Sequence, residues 1–168
     1  MKRILSTLIL AVVIAAGASA QVKVGFFSYE EAFHSIPGYA IAQTSLRTLR
    51  EQYEAEMHRV EEDFNAKFED FLDHQKELAP AIRQKRQMEL QLMMERNVSF
   101  REEMERLMAE AEADAYKPLR DKISQVLFRI GQEKGLDFIL NTDSNAWPYI
   151  SPETGIDLNE EIKAALQE

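Results

Sequence analysis

The side chains here that could do acid–base or metal chemistry are 29 carboxylates and three histidines, His34, His58 and His74. There is no cysteine, which removes thiol nucleophiles, thiolate metal sites and disulfides. His58 and Glu62 stand four residues apart and would share a helical face. Two ligands are too few for a metal centre, so they read as a solvated surface pair. The carboxylates lie mostly on long charged segments, without the shared desolvated cleft that shifts a pKa for catalysis. No nucleophile elbow or phosphate-cradling glycine loop is present. These residues predict no enzyme, no cofactor and no metal. The chemistry on offer is binding. Met57, Met88, Met93, Met94, Met104 and Met108 cluster in the middle of the chain, and flexible, polarizable methionine suits a surface that accepts many partners.

The ends and the charge narrow the setting. Lys2 and Arg3 precede an apolar run from Ile4 to Ala16, and Ala18-Ser19-Ala20 supplies small residues in cleavage-site spacing. That pattern predicts a cleaved signal peptide over residues 1–20 and a mature start near Gln21. The run is short of the ~20 residues that span a bilayer. Without Lys2 and Arg3, 18 basic face 29 acidic side chains, a net charge of −11. Nucleic acid, which needs a basic face, is not an expected partner.

These side chains must be positioned by helices, because glycine and proline number only 6 and 5. Val22 to Phe27 alternates as a strand. Ser28 and Glu31 have capping-box spacing for a short helix over Tyr29–Ser35, ended by Pro37-Gly38. From Tyr39 to Leu78 neither glycine nor proline occurs. Leu46, Leu49, Tyr53, Met57, Val60, Phe64, Phe68 and Phe71 recur there at steps of three and four. The repeat is eleven residues, about 3.67 per turn, which keeps a helix nearly straight. Pro80 breaks it, and a second helix is expected from about Ile82 to Lys134, stopped by Gly135. Further on, Asp137–Leu140 and Ala146–Ile150 read as strands, the second at an edge because of Pro148. Ser151–Gly155 reads as a loop, and Asp157 as the cap of a last helix with Ile162, Ala165 and Leu166 on its apolar face.

The two long helices fit one antiparallel hairpin. Paired positions in such a hairpin have a constant sum of residue numbers. Leu46 with Ala115, Tyr53 with Leu107, Met57 with Met104, Val60 with Phe100 and Phe71 with Leu90 all give 160 or 161. The centre falls at residue 80, where Pro80 sits. Phe64 is the defect, facing Arg96 or Asn97. Met57, Met93 and Met104 fall in the seam. Phe64 is the least well paired residue, and Met88, Met94 and Met108 lie off register, so these four are the candidates for contact with a bound partner. Pro118 interrupts the return helix opposite Ala42 or Gln43, making Ala42 and Pro118 a candidate hinge. Pro80, Arg83, Lys85 and Arg86 form a basic tip. Strands this few and short are marginal alone, which predicts a body shared between copies of the chain, built on Val22, Val24, Phe26, Phe138, Leu140, Trp147 and Tyr149. The expected fold class is α+β, mainly α. Body segments are 21–42 and 119–168, and the arm is 43–118 with its tip near 78–81.

The order of elements resembles the Skp (OmpH-like) periplasmic chaperones across the whole mature chain. Val22–Glu31, Gly135–Leu140 and Gly155–Leu158 carry that resemblance most clearly. It implies a homotrimer with tentacle-like arms around a cavity, no use of nucleotide, and unfolded outer-membrane β-barrel proteins as clients. The chain departs from well-known members in being acidic rather than basic. Residues 44–79 carry 5 basic and 10 acidic side chains, and residues 81–134 carry 11 and 10. Lipopolysaccharide binding, proposed for some relatives, is therefore not expected outside the basic tip. A periplasmic coiled-coil spacer or adaptor is the alternative from another class.

Overall fold

The computed structural model describes residues 22–144 and 146–168. The expected signal peptide and the expected mature start at Gln21 lie outside them. The order is β1 (Val24–Phe27), α1 (Tyr29–Ser35), α2 (Pro37–His74), α3 (Pro80–Lys134), β2 (Phe138–Asn141), β3 (Gly155–Asp157) and α4 (Asn159–Gln167). The chain is mainly helical with a small sheet, as expected. It divides into two compact units, one around 33–123 and one of 22–32 with 124–166.

In the second unit β1 is the central strand of a three-stranded sheet ordered β2-β1-β3. Both pairings are parallel, with Phe26 opposite Leu140 on one side and Asp157 on the other. Phe27, Ala32, Val126, Ile130, Leu158, Ile162 and Leu166 are buried and form this unit's core. The four-residue steps from Val126 to Ile130 and from Leu158 to Leu166 each put one helical stripe inside. A Cβ on Gly25 would come within 2.5 Å of the Leu158 side chain, so β1 needs glycine there for that helix-cap residue to pack on it. Gly135 ends α3 with φ +60°, the left-handed conformation that glycine adopts without steric cost.

The N-terminus of α1 is closely capped. Glu31 N donates to Ser28 Oγ at 3.1 Å, the bond the Ser28–Glu31 spacing predicts. Three neighbouring amides donate to side chains over a hundred residues away. Ser28 N reaches Asn159 Oδ1 (2.8 Å), Tyr29 N reaches Asn141 Oδ1 (3.3 Å) and Glu30 N reaches Asp143 Oδ2 (2.8 Å). The end of β2, Asp143 just after it and the first residue of α4 together thus cap α1.

Some expectations are corrected. Ala146–Ile150 forms no strand. Pro148 lacks a donor there, and Trp147 and Tyr149 are exposed, at 52% and 77%. The third strand is instead Gly155–Asp157, expected to be loop and cap. Its hydrogen bonds come from lying beside β1 and not from any apolar alternation of its own. Asp157 still accepts from Asn159 N at 2.9 Å, but α4 is capped at Leu158. Pro37 opens α2 as its first residue rather than merely ending α1, since its missing N–H is no loss at a helix start. For the same reason α3 begins at Pro80, two residues before the expected Ile82.

Candidate functional site

The unit around 33–123 is an antiparallel pair formed by α2 and the first part of α3. The rows expected to form the seam are the ones turned inward, but the contacts across it lie several residues off the expected pairing. Val60 meets Asn97 rather than Phe100, and the Tyr53 ring lies 6.5 Å from that of Phe100 rather than opposite Leu107. Leu46, Leu49, Tyr53, Val60 and Phe64 are half-buried, and Met57 and Phe71 are buried. On α3, Leu90, Met93, Phe100, Met104, Leu107, Ala111 and Ala115 are half-buried. Phe68 is the exception, 41% exposed. Its ring leans on Phe64 with centroids 5.8 Å apart, so it covers the flank of the seam rather than filling it. The defect opposite Phe64 is filled by Asn97, whose Nδ2 donates to the Val60 carbonyl at 3.2 Å. One ion pair crosses between the helices beside it, Arg101 to Glu61.

At the tip, the turn after His74 leaves helix carbonyls without amide partners. Arg83 supplies them. Its Nε donates to Gln75 O at 2.8 Å and its terminal nitrogen to Leu78 O at 3.3 Å. Lys85 and Arg86 both lie within ion-pair reach of Glu89, at 3.5 and 3.3 Å. The basic tip is thus partly spent on its own structure. His74 Nδ1 lies 2.9 Å from the Asp70 carbonyl and 3.2 Å from its carboxylate. The bond to that carbonyl, then the Asp70 charge, raises the His74 pKa above its ordinary value. His58 and Glu62 lie 3.3 Å apart, both well exposed.

At the other end of this unit four rings gather. Phe33 meets Tyr39 and Tyr116 edge-on with centroids 5.4 and 5.3 Å away. Tyr39 and Tyr116 lie nearly parallel, and His34 packs on Tyr39 at 4.5 Å. Burial raises the Tyr116 pKa. α3 runs unbroken through Pro118, which is exposed. A Cβ on Gly38 would approach the Leu119 side chain to 3.1 Å. The residues flanking Pro118 therefore meet Gly38 and Tyr39, about one turn before Ala42.

What remains outside the seam is apolar surface. Met88 and Met94 are exposed at 64% and 52%, and Phe64 and Met108 are half-buried at groove edges. Leu72, Ile82, Leu92 and Val98 are also exposed, and attention to methionine alone misses them. Their signal was available, since they stand off the seam rows just as Met88 does. Met88 and Leu92 share one shallow groove with Ala81 and Lys85 along α3. Phe64, Met94 and Val98 line a second groove, and Tyr53, Met104 and Met108 a third. Such a surface can adsorb apolar segments from water.

The residues expected to build a shared body fall in two groups. Val22, Phe138, Trp147 and Tyr149 are exposed, while Val24, Phe26 and Leu140 are half-buried. Phe128 and Ile156, which sequence reasoning passed over, are exposed too. β2 and β3 are the edge strands of the sheet. No helix among the described residues is long and apolar enough to cross a membrane.

The sequence profile described as Outer membrane protein (OmpH-like) matches residues 23–166. Among solved structures, the fold is similar to the crystal structure of a candidate outer membrane chaperone (OmpH-like) from Caulobacter crescentus. The TM-score is 0.71 at 16% identity, over 89% of this chain and 86% of that one. At that identity the likeness speaks to the fold. A search of curated proteins returns no match.

Proposed function

Because this chain belongs to the OmpH-like outer membrane protein family, we propose that it is an ATP-independent periplasmic holdase. It would bind unfolded outer-membrane β-barrel proteins and keep them from aggregating. The observation that carries this function is exposed apolar surface outside the seam on two sides of α3, Met88 with Leu92 in one groove and Met94 with Val98 in another. Large apolar side chains grouped outside a packed seam mark a binding surface, and methionine adapts to unlike partners. Phe64 and Met108 would serve the same clients from the groove edges. Export by a cleaved signal peptide at residues 1–20 is supported by Lys2, Arg3, the apolar run after them and Ala18-Ser19-Ala20.

The body would be shared in a homotrimer, with clients held in a cavity between arms. The exposed Phe138, Trp147 and Tyr149 and the two edge strands support this, since open strand edges and apolar side chains are what subunit contacts cover. Ala42 and Pro118 would act as the arm hinge, beside the aromatic cluster of Phe33, Tyr39 and Tyr116. Arg83 is engaged at the tip, so only Lys85 and Arg86 remain for any anionic surface.

The test is light scattering of a urea-unfolded outer-membrane β-barrel protein diluted into buffer with the mature chain. Scattering should fall without ATP, and should be unchanged by a chelator or a reductant. Undiminished aggregation at excess chaperone would favour a spacer or adaptor.

A further inference from the structure

Two of the arm grooves have apolar floors and acidic rims. One holds Phe64, Met94 and Val98 with Glu102 and Glu105 beside them. The other holds Tyr53, Met104 and Met108 with Glu54, Glu105 and Glu112. Glu105 lines both, so the grooves adjoin. Glu54, Glu102, Glu105 and Glu112 are all exposed, and none belongs to an ion pair among the described residues. The cations at these grooves are Arg50 and Arg101, and Arg101 is held by Glu61. The local balance is therefore negative. So is that of residues 44–79, with 5 basic and 10 acidic side chains.

We infer that these grooves select unfolded client segments in which apolar residues are interleaved with lysine or arginine. An apolar side chain would enter against Phe64, Val98 or Met104 while its cationic neighbour meets a rim glutamate. Four carboxylates without an ion-pair partner give up no existing pair when such a segment binds, and its cations offset the water they lose, whereas an acidic segment would add like charge at close range. Charge complementarity of this kind sets partner choice and encounter rate more than total affinity. Apolar contact supplies the holding, and the rim decides what is held. This inference rests on the holdase function proposed above and names its client class.

The experiment uses the full mature chain and two fluorescent peptides. Both carry the same apolar residues at alternate positions. One has lysine between them and the other glutamate. By fluorescence anisotropy in dilute buffer the lysine peptide should bind about tenfold tighter, from a few rim contacts of surface-pair strength. Raising salt to ~0.5 M should remove most of the difference. The variant Glu54→Gln/Glu102→Gln/Glu105→Gln should lose most of the preference and still bind both peptides. The variant Glu69→Gln/Asp73→Asn/Glu77→Gln removes as many charges from residues that line neither groove, and should keep it. Equal or tighter binding of the glutamate peptide overturns the inference, as does a preference that survives the rim variant or vanishes in the control variant. If neither peptide binds, the inference falls. The light-scattering test then says whether the holdase function falls too, since suppressed aggregation without peptide binding would leave it standing.

Discussion

Single side chains settle two details of the hairpin. Asn97 sits half-buried in the seam and donates to Val60 O. That carbonyl keeps its own helical bond, so the amide adds only about 1 kcal/mol. A leucine there would bury apolar surface against Phe64 worth about 1–2 kcal/mol. Asn97→Leu should therefore raise stability by up to about 1 kcal/mol, seen as a higher urea midpoint. A lower midpoint would mean that Asn97 fixes the register of the seam. His74 gives the hairpin a pH dependence. It ends α2, where a helix favours a cation, and its pKa is raised by the bond to the Asp70 carbonyl and then by the Asp70 charge. A raised folded-state pKa contributes stability that is full below the unfolded value near ~6.5 and lost as pH rises through the folded value. The wild-type chain should exceed His74→Gln in urea midpoint at about pH 6, and the gap should close by about pH 9. An unchanged gap across that range would place the His74 effect elsewhere.

At the scale of elements, the sequence showed the hairpin well and the sheet poorly, for one physical reason. A seam along two long helices repeats its apolar rows many times, so the inward rows Leu46 to Phe71 and Leu90 to Ala115 could be picked out before any fold was known, though not their exact partners, since Tyr53 meets Phe100 rather than Leu107. β3 is three residues, Gly155-Ile156-Asp157, too short for a period, and only its neighbour β1 makes it a strand. Trp147 and Tyr149 have strand-like composition but no partner strand among the described residues. Likewise the capping of α1 by Asn141, Asp143 and Asn159 joins residues over a hundred positions apart, which no local pattern reports. The exposure of Met88 and Met94 was legible because they stand off the seam rows. Arg83 was placed at the tip, but its role there was not legible, because its bonds to the Gln75 and Leu78 carbonyls depend on the turn. The seam makes a direct prediction. Phe71 is only 8% exposed, so Phe71→Ala should cost about 3 kcal/mol, while Phe68→Ala, on the flank, should cost clearly less. Equal costs would show that the two rings share the seam. Pro118 offers a second. Pro118→Ala would restore a helical amide and better propensity. If Pro118 is a hinge, spin labels at Gln75 on neighbouring arms should then show a narrower distance distribution. An unchanged distribution would make it a passive element of a base already fixed by Phe33, Tyr39 and Tyr116.

For the whole molecule the decisive quantity is how much apolar surface one chain leaves in water. In the unit of 22–32 with 124–166 the buried core is small, yet Val22, Phe128, Phe138, Trp147, Tyr149 and Ile156 are all at least 40% exposed. Two of three strands have an open edge. A lone chain would hold this surface at a cost of about 25 cal/mol for each Å² of apolar area, against a net stability of only about 5–15 kcal/mol. Association relieves that cost, and a closed ring of like copies covers every edge. The mature chain should therefore sediment at micromolar concentration as an oligomer, a trimer by the proposal above, with no appreciable folded monomer. Tyr149→Asp is the sharper probe. At 77% exposure in the single chain, the substitution leaves the protomer's own packing nearly untouched. If Tyr149 is covered between subunits, a buried unpaired charge costs several kcal/mol, and association should weaken by at least about a hundredfold. Circular dichroism would show whether helix content survives while the oligomer dissociates. If Tyr149→Asp leaves the sedimenting mass unchanged and Phe138→Asp does the same, the exposed body residues serve something other than self-assembly. A stable wild-type monomer would end the shared-body proposal, and leave the exposed edges as a surface for a different partner.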